Sequence, residues 1–116
     1  MVKDYQELTK DISGALATLR QHVPDVLKGF SDLGKAATNG GELDKKTKEL
    51  IALALGVAAR CDGCIGFHTQ ALGRLGATKQ EVAEALGMAV YMGGGPSLMY
   101  AAEAIAAFEQ VEVKER

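Results

Sequence analysis

Four side chains capable of acid–base or thiol chemistry lie close together in one alanine-rich stretch, ELIALALGVAARCDGCIGFH. They are Glu49, Cys61, Cys64 and His68, and the two cysteines are the only ones in the chain. On a helix that turns 100° per residue, both cysteines and the histidine fall within an arc of about 60°. Cys64 and His68 are four residues apart, the spacing at which helical side chains meet. The pattern therefore predicts a cluster of thiols and an imidazole.

Two chemistries use this set of side chains. The thiolates, the imidazole and the Glu49 carboxylate could complete a tetrahedral zinc site, although a single Cys-x-x-Cys is a weak zinc signal. In thiol redox chemistry, His68 takes the proton from Cys64, and Glu49 orients the imidazole. Cys61 then attacks oxidised Cys64 and closes a disulfide. The spacing favours redox chemistry, with a zinc site or two plain core cysteines as the alternatives.

The roles of the two cysteines depend on two opposing effects. The helix dipole favours a thiolate at Cys61, nearer the helix N-terminus, by roughly 0.3–1 kcal/mol. A positioned base is worth about a hundredfold or more in rate, and only Cys64 is one turn from His68. We therefore predict that Cys64 attacks the substrate and that Cys61 resolves the intermediate.

The hydrophobic pattern is helical throughout, and no segment alternates apolar and polar residues over a sustained run. It predicts an all-α bundle of about six helices in a single domain, residues 1–116, with a core at about 44–108 and N-terminal helices within 1–38. Helix starts are indicated by Pro24 in a first turn, Asp44 as an N-cap and the Thr78–Glu81 capping box. The last helix is expected to carry Leu98 to Phe108 and to give way to a charged, frayed tail.

Two further features concern packing. The second predicted helix carries an apolar stripe made of Val26, Leu27, Phe30 and Leu33. Gly56 would let the third and fourth helices approach closely and bring Glu49 toward His68.

The run Gly93–Pro96 lacks the lysine and the preceding strand of a phosphate-binding loop, so it is interpreted as a tight turn.

The composition limits the choice of partners. The net charge is -2, so neither a nucleic acid nor an acidic membrane is indicated. The N-terminus MVKDYQELTK has no apolar signal core and no apolar run is long enough to span a membrane, so we expect a cytoplasmic protein. Apolar residues make up 47% of the chain but aromatic residues only 5%. Such a small chain buries little area per residue, which predicts a homo-oligomer.

The order Glu49, Cys61, Cys64, His68 resembles the core motif of the alkylhydroperoxidase D family, within the carboxymuconolactone decarboxylase superfamily. The similarity extends from about Asp44 to Phe108, through the Gly93–Ser97 and Met99–Ala104 stretches, which resemble the small single-domain members. The resemblance implies an all-helical fold that assembles as trimers or as hexamers.

The same resemblance implies a peroxidase that reduces hydroperoxides without a bound cofactor. The residue matching Cys64 would become a sulfenic acid, and the residue matching Cys61 would donate a proton and resolve it. Glu49 and His68 match the proton relay. A dithiol partner, such as a lipoyl domain or a thioredoxin-like protein, would reduce the disulfide again.

One position departs from the family pattern. The best-known peroxidases carry a histidine just before the second cysteine, where this chain has Gly63. The relay is then shorter, and a disulfide reductase becomes a related possibility. A lactone decarboxylase, which needs neither thiol, and a non-enzymatic zinc-binding or redox-sensing module are the alternatives from other classes.

Overall fold

The computed structural model describes residues 2–114, which form six helices joined by short connections. The helices are α1 (Tyr5–His22), α2 (Pro24–Thr38), α3 (Lys45–Ala58), α4 (Asp62–Arg74), α5 (Lys79–Gly93) and α6 (Gly95–Lys114). No strand occurs among these residues, so the predicted all-α bundle is confirmed. None of the helices within residues 2–114 is long and apolar enough to cross a membrane.

Local signals in the sequence fix where several helices begin. The Asp44 side chain accepts a hydrogen bond from the amide of Thr47 and caps α3. The Thr78 and Glu81 side chains each accept from the other residue's amide, the reciprocal pattern of a capping box, at the start of α5. Only Gly94, with φ 72°, separates α5 from α6, so the glycine-rich run is a tight turn as expected.

The prediction that the last helix gives way to a frayed tail after Phe108 is wrong, because α6 continues to Lys114. Val111 is buried, so the apolar stripe extends beyond Phe108. The Gln110 side chain holds the N-terminal segment: it accepts from the Tyr5 amide at 2.8 Å and donates to the Lys3 carbonyl at 2.8 Å. Such contacts between the two ends of the chain leave no periodic signal in the sequence.

The buried core comes mainly from α3, α4, α5 and α6, and its largest aliphatic and aromatic members from these helices are Leu53, Val57, Ile65, Leu72, Val82 and Phe108. By contrast, α2 contributes no buried residue. Its side chains Val26, Phe30 and Leu33 are 66%, 73% and 63% exposed. The apolar stripe predicted on α2 therefore does not face the core of its own chain.

Two glycines allow close contacts with α4. A Cβ added at Gly56 would lie 2.8 Å from the Cβ of Cys64, so α3 and α4 meet almost backbone to backbone there. A Cβ at Gly66 would overlap the methyl group of Thr9 on α1. The predicted role of Gly56 in the approach of α3 and α4 agrees with this geometry.

We expect Gly56→Ala to lower the free energy of unfolding by about 1–3 kcal/mol, because the new methyl group forces α3 and α4 apart. Urea denaturation of the oxidised protein measures this change. Gly87→Ala is the matched control: Gly87 lies inside α5 with nothing within 4 Å of an added Cβ. That variant should gain about 0.5–1 kcal/mol from helix propensity. Equal stabilities of the two variants would contradict the close contact.

Candidate functional site

The connection between α3 and α4 places the Cys61–Cys64 segment. The Arg60 amide donates to the Val57 carbonyl at 3.0 Å, and the Cys61 amide donates to the Gly56 carbonyl at 3.0 Å. This pair of bonds is the Schellman motif, which ends a helix with one residue in the left-handed region. Arg60 occupies that position with φ 58°, although glycine is the usual residue there. The chain therefore turns sharply just before Cys61.

Cys61 is the N-cap of α4 rather than a residue inside it. Its backbone is extended, with φ -107° and ψ 100°, and its sulfur accepts a hydrogen bond from the Cys64 amide at 3.1 Å. The assumption that both cysteines and His68 share one helical arc is therefore wrong for Cys61. An N-cap leaves the helical conformation so that its side chain can accept from an otherwise unpaired amide.

The two cysteines form a disulfide, with their Cα atoms 5.2 Å apart. The structure therefore corresponds to the oxidised state of the pair. In the reduced state, the hydrogen bond from the Cys64 amide would favour a thiolate at Cys61, because a donor stabilises a nearby negative charge. The cap thus acts on Cys61, whereas His68 lies four residues, about one helical turn, after Cys64.

Glu49 and His68 are in direct contact across α3 and α4. The Glu49 Oε2 atom lies 2.6 Å from the His68 Nδ1 atom. Glu49 is only 7% exposed, whereas the His68 side chain is 31% exposed. Since an ionised carboxylate can only accept, Nδ1 carries the proton, and Nε2 is the basic nitrogen of the neutral ring. The structure thus brings together the carboxylate and the imidazole that the sequence pattern singled out.

A zinc site would need both cysteines as thiolates. Between residues 2 and 114, no group of three or more His, Cys, Asp or Glu residues is arranged to hold a metal ion. Both sulfurs are joined to each other and cannot act as thiolate ligands in this state.

Position 63 lies against α1. A Cβ at Gly63 would be 3.1 Å from the Cδ1 atom of Ile12, so a larger side chain at this position would have to displace Ile12. The glycine that replaces the family histidine before the second cysteine therefore lies where α1 packs on α4.

A network of charged side chains lies beside the disulfide, and the sequence pattern did not predict it. The Lys3 ammonium lies 2.6 Å from Asp62 Oδ2 and 3.7 Å from Glu103 Oε1, and the Tyr5 hydroxyl donates to Glu103 at 2.9 Å. The hydrogen bond to Asp62 raises the pKa of Lys3, and burial together with the bond to Glu103 raises the pKa of Tyr5. Asp62, between the two cysteines, was a visible clue, but its partner lies 59 positions away.

Solved structures and sequences of other proteins resemble this chain. A carboxymuconolactone decarboxylase family protein of Legionella pneumophila, solved in its apo form, is 62% identical, with a TM-score of 0.90 over 92% of this chain and 96% of that one. A Thermotoga maritima protein of the same family, for which a role in the antioxidative response has been suggested, is 35% identical, with a TM-score of 0.71 over 77% and 92%. An uncharacterised Cupriavidus necator protein is 40% identical over 94% of this chain and 96% of its own length.

The family match runs from the start of α2 into α6 and leaves α1 outside. It spans residues 24–107, more than half of the chain, and includes Glu49, Cys61, Cys64 and His68. With this match and relatives that align over most of its length, the chain belongs to the carboxymuconolactone decarboxylase family.

Proposed function

We propose that this protein is a thiol-dependent peroxidase of the alkylhydroperoxidase type, with an antioxidant role. The observation that carries the proposal is the Cys61–Cys64 disulfide at the start of the helix that bears His68, whose Nδ1 atom contacts a buried carboxylate. The role suggested for the Thermotoga maritima relative is in keeping with this function. No bound cofactor is required, because the electrons come from the two thiols.

The proposed reaction has three steps. The Cys64 thiolate attacks the outer oxygen of a hydroperoxide, the O–O bond breaks, and the alkoxide takes a proton and leaves as the alcohol. Cys61 then attacks the sulfenic acid on Cys64, which forms the disulfide and releases water. A dithiol reductant, such as a lipoyl domain or a thioredoxin-like protein, exchanges with the disulfide, restores both thiols and is itself oxidised to a disulfide.

In this scheme His68 is the base that takes the Cys64 proton through Nε2. Glu49 acts through His68: its buried carboxylate holds the ring in one tautomer and stabilises the imidazolium that forms. Because position 63 is glycine, the relay has only these two members. The same geometry would serve a disulfide reductase. Such an enzyme would also exchange its disulfide with a dithiol, but it would not react with a hydroperoxide.

The decarboxylation of a lactone is the second candidate, since the chain belongs to the family that carries this name. That reaction needs acid–base groups such as Glu49 and His68 but neither thiol. A variant with both Cys61→Ser and Cys64→Ser separates the two functions: a peroxidase loses all turnover, whereas a decarboxylase keeps it.

We expect Cys64→Ser to abolish peroxide consumption and sulfenic acid labelling, because it removes the attacking sulfur. Cys61→Ser should form one sulfenic acid per chain and then stop, because nothing resolves it. Dimedone labelling and a peroxide-consumption assay with dihydrolipoamide or thioredoxin measure these outcomes. If dimedone labels Cys61 in the Cys64→Ser variant as fast as Cys64 in the reciprocal variant, the two roles are wrongly assigned.

His68→Ala should slow the oxidation of Cys64 by about a hundredfold at neutral pH, because the positioned base is lost. Glu49→Gln should lower the oxidation rate of Cys64 by a smaller factor, since the amide side chain keeps the contact with His68 but carries no charge. His22→Ala is the control: His22 is the only other histidine and lies exposed at the end of α1. Stopped-flow measurement of peroxide oxidation compares the variants, and equal rates for His68→Ala and His22→Ala would refute the relay.

We also propose that the protein is a homo-oligomer, a trimer or a hexamer, in which α2 packs against a second copy. Val26, Phe30 and Leu33 recur at helical spacing and are mostly exposed, and α2 has no buried residue of its own. A helix of 15 residues has little stability in water without packing. A second copy of the chain supplies an apolar surface of the same kind.

Phe30→Asp should shift the assembly toward monomers at micromolar concentration, because it puts a charge into the proposed contact. Light scattering measures the mass. Val113→Asp is the control, since Val113 on α6 is an equally apolar residue that is 66% exposed. A wild-type monomer, or the same mass for Phe30→Asp as for wild type, would rule out this interface.

A further inference from the structure

The Asp62 carboxylate, which lies between the two cysteines in the sequence, has one side-chain partner in the described part of the chain. Its Oδ2 atom contacts the Lys3 ammonium at 2.6 Å. Its Oδ1 atom is buried and has no hydrogen-bond partner within residues 2–114. The carboxylate therefore relies on Lys3 for compensation of its charge, since a buried, unpaired oxygen of an ionised group is costly.

Hydrogen bonds hold the backbone at Lys3 and at Tyr5, the two neighbours of Asp4. They place Lys3 beside α4. Gln110 on α6 accepts from the Tyr5 amide and donates to the Lys3 carbonyl. Tyr5 is fully buried, and the Asp4 side chain caps α1 through the amides of Gln6 and Glu7. Lys3 therefore reaches Asp62 from an anchored backbone.

Lys3 is the cation that contacts two carboxylates near Cys61. The carboxylates of Asp62 and Glu103 lie on either side of one ammonium. Lys3 stays protonated where thiols ionise, about pH 8.5, because its bond to Asp62 raises the pKa of its ammonium. Burial and the bond to Glu103 raise the pKa of Tyr5, so that phenol stays neutral there.

The remaining titratable groups around the pair are Glu49 on α3, His68 on α4, Arg60 before Cys61, and Tyr100 on α6, which interacts with Lys3. These groups are the same in every variant described below. Asp62 is the chain neighbour of Cys61, with Cα atoms about 3.8 Å apart, so its charge acts on the Cys61 sulfur over a distance no greater than one screening length, about 8 Å at physiological salt. An uncompensated carboxylate at this distance disfavours a thiolate.

We propose that Lys3 is a positioning residue for the thiol pair: by offsetting the negative charge of Asp62, it favours ionisation of Cys61. The inference rests on the proposed function only in that it takes Cys61 to act as the resolving thiol. In that role, a more readily ionised Cys61 closes the disulfide faster. The Lys3–Asp62 pair itself is half-exposed, so it should add little to folding stability.

The test uses the reduced full-length protein and iodoacetamide, with alkylation of each cysteine followed by mass spectrometry from pH 6 to pH 10. Lys3→Gln should raise the pH midpoint of Cys61 alkylation by about half a unit, which leaves roughly threefold less thiolate below the midpoint. Lys3→Arg should keep the wild-type midpoint. Asp62→Asn should lower the midpoint, and adding it to Lys3→Gln should cancel the increase.

Two further measurements separate charge from structure. In about 1 M salt, where the screening length is about 3 Å, the difference between wild type and Lys3→Gln should shrink. Lys10→Gln, which removes a lysine from the exposed side of α1, should leave the midpoint unchanged. An unchanged midpoint in Lys3→Gln, an equal increase in Lys3→Arg, or an increase that persists in the double variant would overturn the inference. Since no hydroperoxide is used, a lack of peroxidase activity would not alter these readings.

Discussion

The close contact between Gly56 and Cys64 determines where every other part of the site can lie. Because Gly56 has no side chain, the C-terminal end of α3 and the N-terminal end of α4 touch at this point. Glu49 is two turns, about 10.5 Å, back along α3, and His68 is one turn, about 6 Å, forward along α4. The glutamate and imidazole side chains are long enough to span the remaining gap and meet at 2.6 Å. One helix crossing thus brings together the helix start that carries the disulfide and the Glu49–His68 contact.

Much of this arrangement could be predicted because its signals are local. The caps at Asp44 and Thr78 and the proline at the start of α2 each depend on residues within one turn. The functional cluster was also recognisable, since Cys61, Cys64 and His68 recur at near-helical spacing. Cys61 was misplaced because a sulfur atom that caps a helix is not distinguishable, from spacing alone, from one on its first turn.

Apart from the N-cap at Cys61, the unpredicted contacts involve residues far apart in the sequence. The bonds of Gln110 to the N-terminal segment span more than 100 positions, and the Lys3–Asp62 pair spans 59. The family match begins at residue 24 and so leaves out α1, yet α1 lies against Gly63 and Gly66 of α4. The family match therefore includes the four candidate site residues but not α1, which covers one side of α4.

Two side-chain contacts on or beside α4, Glu49–His68 and Lys3–Asp62, differ in burial. The Glu49 side chain is 9% exposed beside a His68 side chain of 31%, whereas Lys3 is 46% exposed beside Asp62 at 31%. Water and salt screen exposed charges far more than buried ones. The contribution of the base should therefore persist as ionic strength rises, while that of the ammonium fades. If both proposals hold, the fold combines one influence on the thiols that is insensitive to salt, held between packed helices, with one that responds to the surrounding solution, held by an anchored segment at the surface.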